Sequence, residues 1–193
     1  MDNRLYTIGY SPFSGTGFIE MLRQHGITVV CDVRSMPYSR YKPEFNKDAL
    51  NKLLSSYGIG YFFFGNMLGA RPADPELYEG GKVRFDRVAL SSVFGHGLAG
   101  LREIASEKTA ALMCAEKDPL TCHRTILVCR QLRHEFDIRH ILEDGSLEAN
   151  GDSERRLVKL LKIPTDDLFR TEEDLIHEAY ELQGKKIAYK RKE

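Results

Sequence analysis

The residues between positions 114 and 124 include the side chains best suited to chemistry in this 193-residue chain. Cys114 and Glu116 come at the end of an apolar run, and Cys122, His123 and Arg124 follow a proline-containing turn. A thiolate can act as a nucleophile, and a carboxylate can act as an acid, a base or a nucleophile. Arginine binds phosphate through two parallel hydrogen bonds. This spacing predicts a site in which Glu116 or Cys122 performs the chemistry and Arg124 binds an anion.

Thr121 is a suitable N-cap residue, so we predict that a helix begins directly after it. Residues 122–124 would then lie in the first helical turn. The free amides and the helix dipole at that position favour an anion and lower the pKa of a thiol. Cys122 fits a reactive role and a structural role equally well. His123 fits either assistance in catalysis or a local hydrogen bond.

The other cysteines favour structural roles. Cys31 and Cys129 lie in apolar segments and are predicted to be core residues, as is Cys114. A metal site made of Cys114, Cys122 and His123 stays open as an alternative. Its spacing matches no standard zinc pattern, so we assign no metal and no cofactor from the sequence.

A second polar segment begins at Asp32. Asp32 and Arg34 are two residues apart and therefore point to the same face of a predicted strand. They form either a structural ion pair or part of a site in which Asp32 assists and Arg34 holds phosphate. Residues 34–42 contain three cations, two tyrosines and no acid, a pattern that suits phosphates and stacked bases and that ordinary loops also show.

Short apolar runs alternate along the chain with segments of helical period. The predicted strands are Leu5–Tyr10, Thr28–Val33, Tyr61–Phe64, Ala110–Cys114 and Arg139–Leu142. We expect the third strand to be buried on both faces. The long glycine-containing segment 65–97 is predicted to form a flap. This alternation predicts a single three-layer α/β domain with a mostly parallel sheet of about five strands.

The carboxyl ends of the strands in such a sheet bind ligands, and this rule completes the predicted site. The predicted catalytic residues at this edge are Asp32, Glu116, Cys122 and His123. The predicted substrate-binding residues are Tyr10, Ser11, Arg34, Ser39 and Arg124. We expect Asp32, Arg34, Glu116 and Arg124 to converge on one cleft.

The character of the chain changes near residue 150. We predict an α/β core domain over residues 1–150 and a helical C-terminal extension, packed on the core, over residues 151–193. Leu157, Leu160 and Leu161 indicate a helix in this extension. Residues 165–178 are strongly acidic and residues 185–192 are basic, which is typical of a solvated tail.

The bulk composition restricts the partners of the chain. The formal net charge is zero, so no global field attracts nucleic acid or membrane, and any anion must bind to a local patch. We expect no apolar leader, because Met1-Asp2-Asn3-Arg4 is followed by no apolar signal segment, and no apolar run is long enough to cross a membrane. We therefore expect a cytoplasmic protein with free thiols and no membrane contact, and we assign no oligomeric state.

Several of these segments, taken in order, resemble the domain of unknown function 488 family. The resemblance rests on Thr7–Ser11, on Asp32-Val33-Arg34 with Pro37 and Ser39, on Cys114-Ala115-Glu116, on Cys122-His123-Arg124, and extends to His140-Ile141. The segment around Ala179-Tyr180 looks like members that have a C-terminal extension. The resemblance implies an α/β fold and implies no particular reaction.

Two functional hypotheses follow. The first is an enzyme that acts on an anionic substrate, a nucleotide or a nucleic acid. The second is a non-catalytic sensor or adaptor that binds metal or nucleic acid. Replacing Glu116 or Cys122 should abolish turnover in the first case and affinity in the second.

Overall fold

A computed structural model of the chain describes residues 3–166 and 169–191. Asp167 and Lys192, which belong to the charged tail discussed above, lie outside the described residues. The strands are β1 (Arg4–Gly9), β2 (Val29–Asp32), β3 (Gly60–Phe63), β4 (Tyr78–Glu79), β5 (Lys82–Val83), β6 (Ala110–Cys114), β7 (Asp137–Ile141) and β8 (Leu147–Ala149). The helices are α1 (Gly15–Gln24), α2 (Lys47–Ser56), α3 (Gly65–Leu68), α4 (Phe85–Leu90), α5 (Ser92–Glu107), α6 (Arg130–Leu132), α7 (Asn150–Leu160) and α8 (Glu172–Ile187).

Six strands form the main sheet in the order β3-β2-β6-β1-β7-β8. Every neighbouring pair is parallel except β7 and β8, which are antiparallel. The predicted, mostly parallel sheet is confirmed, and β8 is an additional strand that the sequence pattern does not indicate. β4 and β5 form a separate hairpin.

Helices cover both faces of the sheet, because alternate residues of each central strand point to opposite sides. On one face, Ile8 and Val30 pack against Phe18 of α1 and Leu54 of α2. The opposite face contains the larger core cluster, to which α5, α7, α8 and the helical segment after β6 contribute. This arrangement confirms the predicted three-layer α/β architecture.

The third strand is not buried between layers, so that prediction is wrong. β3 lies at the edge of the sheet and pairs only with β2. Phe62 is 44% exposed, and Phe63 is half-buried. An aromatic run is equally compatible with an edge strand. Such a strand has a neighbour on one side only, so some of its side chains remain in contact with solvent.

The segment 65–97 is not a flap but part of the layer that covers the sheet. It contains α3, the β4–β5 hairpin, α4 and the beginning of α5. Leu68, Phe85 and Phe94 from this segment are buried in the larger core cluster. A Cβ added to Gly97 would lie 2.7 Å from the side chain of Leu68, so this glycine permits close packing of α5 on α3.

The helix after β6 begins as a π-helix, Arg124–Cys129, and continues as α6. In a π-helix the backbone hydrogen bonds span five residues instead of four, and such segments occur frequently at functional sites. All six π-helical residues are buried. The π-helix therefore lies against the sheet immediately after the segment that contains the candidate chemistry.

The C-terminal helices pack on the same core. α7 confirms the helix indicated by the leucines, and α8 begins with a capping box between Thr171 and Asp174. Ala179 and Tyr180 of α8 are buried, and the Tyr180 hydroxyl donates to Glu154 of α7 at 2.7 Å. The division into a domain and an extension stays a prediction.

The backbone after α8 joins the β4–β5 hairpin. The N–H of Val83 donates to the carbonyl oxygen of Tyr189 at 2.9 Å, and the N–H of Arg191 donates to that of Gly81 at 2.8 Å. These bonds hold residues 188–191 beside the β4–β5 hairpin, and the Tyr189 ring contacts Arg71 in the loop that follows α3. Among the described helices, none has both the length and the apolar character needed to span a membrane.

Candidate functional site

The connections that follow β1 and β6 lead to opposite faces of the sheet. α1 follows β1 and packs on the smaller core cluster, whereas the π-helix follows β6 and packs on the larger one. β1 and β6 are neighbours, with Gly9 paired to Cys114. In sheets of this type, ligands bind in the crevice where adjacent strands send their connections to opposite sides. The topology therefore places the candidate site at the carboxyl ends of β1 and β6.

A cleft of about 270 Å³ lies at this position. The predicted site residues that line it are Tyr10, Arg34, Glu116, Cys122 and His123. Cys114, Arg71 and Tyr189 also line it. The lining does not include Asp32 and Arg124, which are fully buried, or Ser11 and Ser39. Of the four residues expected to converge on one cleft, Arg34 and Glu116 line it.

The turn after β6 passes directly over the end of β1. The N–H of Tyr10 donates to the carbonyl oxygen of Cys114 at 3.0 Å. A Cβ added to Gly9 would lie 1.8 Å from the carbonyl oxygen of Glu116, a distance that excludes any side chain. Gly9 therefore permits the approach that brings Glu116 to the mouth of the cleft.

Two thiols and an imidazole form a buried cluster on the inner wall of the cleft, and we call Cys114, Cys122 and His123 the Cys–Cys–His trio. Cys114 ends β6, while Cys122 and His123 come immediately before the π-helix. The potential ligand atoms of the trio all lie within 4.8 Å of one another. Cys114 Sγ is 3.6 Å from His123 Nδ1. The predicted core position of Cys114 is confirmed by its burial, but it is also part of this cluster.

The hydrogen bonding of His123 fixes its tautomer. Nε2 lies 2.9 Å from the carbonyl oxygen of Val33. A carbonyl oxygen only accepts, so Nε2 carries the hydrogen and donates it. In the neutral ring, Nδ1 therefore has a free lone pair, and this lone pair faces the sulfur of Cys114.

The two thiols of the trio differ in acidity. Burial disfavours ionisation of Cys122, but a hydrogen bond from Cys114 and the charge of Arg124 outweigh it and hold the pKa of Cys122 well below its usual range. That shared hydrogen bond and burial raise the pKa of Cys114. The pair therefore favours ionisation of Cys122 over ionisation of Cys114. Cys122 is only 1% exposed, so its sulfur is shielded from bulk solvent.

Asp32 and Arg34 form a closed network at the end of β2. Arg34 donates to Asp32 through Nε at 2.9 Å and through Nη2 at 2.7 Å, and Nη2 also donates to the carbonyl oxygen of Phe45 at 2.9 Å. The Tyr61 hydroxyl donates to Asp32 at 2.8 Å. Burial and the charge of Asp32 raise the pKa of Tyr61. This geometry favours the structural ion pair over a catalytic role for Asp32.

Arg124 is a buried cation whose donors are used within the protein. Its Nε donates to Thr7 Oγ1 at 3.3 Å, and its terminal nitrogens donate to the carbonyl oxygens of Glu116 and Lys117. No carboxylate of the described residues lies within ion-pair distance of Arg124. Arg124 anchors the turn that contains Glu116, and its charge contributes to the lowered pKa of Cys122. We do not include Arg124 among the groups available to a ligand.

The backbone at the start of the π-helix also differs from the prediction. Cys122, not Thr121, is the residue whose carbonyl oxygen accepts from the N–H of Ile126, at 3.1 Å. Thr121 lies in a short 3₁₀ turn, and its hydroxyl donates to the carbonyl oxygen of Asp118 at 3.0 Å. The amides of Thr121, Cys122 and Thr125 all donate to backbone oxygens. These three amides are therefore not free to bind an anion.

The two predicted serines lie outside the cleft lining. Ser39 Oγ accepts from the N–H groups of Tyr41 and Lys42 at 3.2 Å each, which stabilises a turn. Ser11 is exposed, and its N–H donates to the carbonyl oxygen of Ala115 at 3.0 Å. Tyr10 lines the cleft, stacks on Phe45 with a centroid separation of 4.4 Å and contacts the guanidinium of Arg34.

Two charged side chains at the mouth of the cleft are uncommitted, by which we mean that the described protein provides them with no ion pair and no hydrogen bond. Glu116 and Arg71 are exposed, and neither side chain has an ion-pair or hydrogen-bond partner among the residues described. The Arg71 guanidinium lies 4.3 Å from the ring centroid of Tyr189. Neither Arg71 nor Tyr189 was predicted, because no local spacing distinguishes them. They approach the trio only through the packing of the 65–97 segment and the hydrogen bonds of residues 188–191.

Comparison with known proteins identifies a family but no activity. No significant match was found among curated proteins or among solved structures. A family model described as "Domain of unknown function DUF488" matches residues 15–130. The matched range includes Arg34, Arg71, Glu116 and the trio, and it ends before the C-terminal helices. Because the match spans more than half of the chain, and in agreement with the resemblance noted above, the protein belongs to the DUF488 family.

Proposed function

We propose that the protein is an enzyme that acts on an anionic substrate, of the nucleotide or nucleic-acid class, in the cleft between the ends of β1 and β6. One observation carries this proposal. The exposed, uncommitted cation of Arg71 lines the same cleft as the uncommitted carboxylate of Glu116 and the Cys–Cys–His trio. A binding group, an acid–base group and a reactive centre are thus present in one site.

Arg71 is the phosphate-binding group in this proposal. Its guanidinium lies over the ring of Tyr189, which leaves its N–H edge available for two parallel hydrogen bonds to an oxyanion. Tyr189, which is half-buried, offers aromatic surface on which a base or a sugar can pack. A cleft of about 270 Å³ suits the phosphate-bearing end of a nucleotide rather than a large ligand that is wholly enclosed.

Glu116 is the acid–base group. Its carboxylate is exposed at the mouth of the cleft, while its carbonyl oxygen is held by Arg124 and packed on Gly9. The turn is thus fixed while the side chain can reach a ligand. Proton transfer by a positioned carboxylate typically accelerates a reaction by about 10²–10⁴-fold. The trio lies deeper in the same cleft and acts as the reactive centre.

The binding step can be tested by calorimetric titration of orthophosphate and a nucleotide panel. We expect wild-type protein to bind a member of the panel with a dissociation constant between about 1 mM and 1 μM. Arg71→Ala should weaken this affinity by about 1.5–3 kcal/mol, the usual contribution of a hydrogen bond to a charged group. Arg23→Ala, which removes an exposed arginine of α1, is the matched control. Equal affinities for both variants would contradict the proposal.

The catalytic step can be tested with Glu116→Gln, which keeps the size of the side chain and removes its charge. Incubation with the same panel and with short single-stranded oligonucleotides, followed by mass spectrometry of the products, detects turnover without knowledge of the reaction. We expect the variant to keep the affinity of the wild type and to lose turnover.

The second candidate function is a sensor or adaptor that binds metal or nucleic acid without turnover. The buried trio favours it, because such a cluster can serve as a ligand set alone. Ligand binding by wild-type protein with no product from any member of the panel would support this candidate instead. The four free cysteines are consistent with a reducing, cytoplasmic location in either case.

A further inference from the structure

We propose that Cys114, Cys122 and His123 bind one thiophilic divalent metal ion, of which Zn²⁺ is the best match, with a fourth coordination position open to the cleft. The inference names the cofactor of the reactive centre. It rests on the proposed function only for the use of that open position, because the metal site itself is argued from the three ligands.

The separation of the donor atoms matches a tetrahedral metal site. Zinc lies about 2.3 Å from a thiolate sulfur and about 2.0–2.1 Å from an imidazole nitrogen. At a tetrahedral angle these bond lengths place sulfur and nitrogen about 3.6 Å apart. Cys114 Sγ and His123 Nδ1 are separated by 3.6 Å. Cys122 Sγ lies within 4.8 Å of both, so a small movement of one side chain completes three corners of the tetrahedron.

The orientation of His123 is that of a metal ligand. Histidines that bind metal usually donate their other ring N–H to a carboxylate, a backbone carbonyl or water, and this second bond fixes the tautomer. His123 donates through Nε2 to the carbonyl oxygen of Val33 at 2.9 Å. The Nδ1 lone pair is therefore directed toward Cys114 Sγ, with Cys122 Sγ within 4.8 Å of the same nitrogen.

The charge around the trio is compatible with a divalent ion. Arg124 is fully buried, and its donors bind Thr7 Oγ1 and the carbonyl oxygens of Glu116 and Lys117, so the protein itself solvates this positive charge. Two thiolates provide two negative charges. Together they balance the metal ion, and their attraction to the metal offsets the repulsion between the metal and the guanidinium. The single positive charge that remains favours an anion in the cleft.

The fourth position is the feature that distinguishes this trio from a closed structural site. Structural zinc sites have four protein ligands, whereas catalytic sites have three and leave one position to water or substrate. Within the described chain the cluster supplies three donor atoms, and all three residues line the cleft. The donor set, two cysteines and one histidine, is one that catalytic zinc sites use.

The same geometry is compatible with a metal-free alternative. A sulfur–nitrogen distance of 3.6 Å also fits a weak S–H···N hydrogen bond between Cys114 and His123. In that case the trio would be a pair of thiols with a neighbouring base. The metal content of the full-length protein distinguishes the two arrangements.

Elemental analysis of protein purified under reducing conditions and reconstituted with Zn²⁺ is the decisive measurement. We expect about one tightly bound zinc per chain. Substituting Co²⁺ should produce the intense sulfur-to-cobalt charge-transfer absorption of thiolate ligands in the near ultraviolet. This measurement on the wild type needs no variant that might misfold, and absence of both signals would overturn the proposal.

Single replacements then identify the ligands. Cys114→Ser, Cys122→Ser and His123→Gln should each weaken zinc binding by more than the roughly 10–100-fold that loss of an outer-shell partner causes. Cys31→Ser and Cys129→Ser, which change buried cysteines outside the trio, are the matched controls and should retain the metal. Equal loss in the controls would overturn the assignment of ligands.

Failure of this inference is separable from failure of the proposed function. Orthophosphate titration of wild type and Arg71→Ala reports on the anion site, and elemental analysis reports on the trio. Phosphate binding that depends on Arg71 in a protein unable to bind zinc overturns only the metal site. Zinc binding without any anion binding overturns only the proposed substrate class.

Discussion

The ends of β2 and β6 are neighbours at the same edge of the sheet, yet they use their polar residues in opposite ways. At the end of β2, Asp32 and Arg34 satisfy each other and are sealed by Tyr61. At the end of β6, the side chain of Glu116 has no partner among the described residues, and the trio keeps a lone pair on His123. A charged group at a strand end therefore indicates a site only when the surrounding protein leaves it unsatisfied.

The largest expected effect is the loss of stability on opening the β2 network. Asp32→Asn leaves the buried Arg34 guanidinium without a carboxylate, which typically costs about 3–5 kcal/mol. Glu135→Gln is the matched control, since it breaks the exposed ion pair with Arg102 and should cost no more than about 1 kcal/mol. Urea unfolding of the two variants measures both values. Similar losses in the two would contradict the contrast drawn above.

A second expected effect concerns pH and the end of β7. Burial and the charge of Arg124 lower the pKa of His140 to about 4, although Asn150 accepts a hydrogen bond from its ring. As the pH falls from about 6.5 to 4, the unfolded chain gains a proton at this residue and the folded chain does not. The contribution of His140 to folding stability should therefore decrease across this window, by roughly 3 kcal/mol in total, and stay constant below it.

His140→Gln removes the titrating group, so comparison with the wild type isolates this contribution. The pH dependence of urea unfolding between pH 7 and pH 4 should be shallower in the variant. Parallel curves for the two proteins would show that His140 is not held neutral. The polar residues at the end of β7 would then be less well shielded from solvent than Asp32 and Arg34 at the end of β2.

A smaller loss is expected when the turn above β1 is disturbed. Gly9→Ala forces a methyl group against the Glu116 carbonyl oxygen, and the resulting overpacking should cost about 1–3 kcal/mol. Gly95→Ala is the control, because a Cβ at this helical position would meet nothing within 4 Å and should stabilise α5 by about 0.5–1 kcal/mol. Thermal unfolding of both variants tests whether the two substitutions change stability in opposite directions.

The smallest effect belongs to the groups that face the cleft. Glu116→Ala removes an exposed side chain with no ion-pair or hydrogen-bond partner in the described chain, so it should change stability by no more than about 0.5 kcal/mol. Arg71→Ala also removes the contact with the Tyr189 ring, so it should cost no more than about 1 kcal/mol. Their effects on ligand binding or turnover should be large by comparison. A substantial loss of stability in either variant would indicate a structural role and would remove the distinction between the two strand ends.

The architecture could be predicted because its signals are local. The runs 29–31 and 110–114 are apolar, as is typical of strands buried on both faces, and helical periods separate them. The aromatic run of β3 fits a central or an edge strand equally well, so its place in the sheet could not be deduced. β8 is only three residues long, and it is defined by its pairing with β7 rather than by its composition.

The site was predictable only in part, for a related physical reason. Glu116, Cys122 and His123 lie next to a strand end, and that position is visible in the sequence. Whether a guanidinium is available to a ligand depends on which hydrogen-bond acceptors of the protein surround it. Arg124 meets backbone carbonyl oxygens and Arg34 meets a carboxylate, and neither set of contacts has a local pattern. Arg71 reaches the cleft by tertiary packing alone.

The end of α8 and the residues that follow it form part of the wall of the cleft. Ile187 and Tyr189 line the cleft, yet both come from beyond the range that the family model matches, whereas the trio and Glu116 lie within it. The trio and part of the cleft wall thus belong to stretches of chain that lie inside and outside the matched range, respectively. A chain with a different ending after the matched range would present the trio and Glu116 in a cleft of another shape.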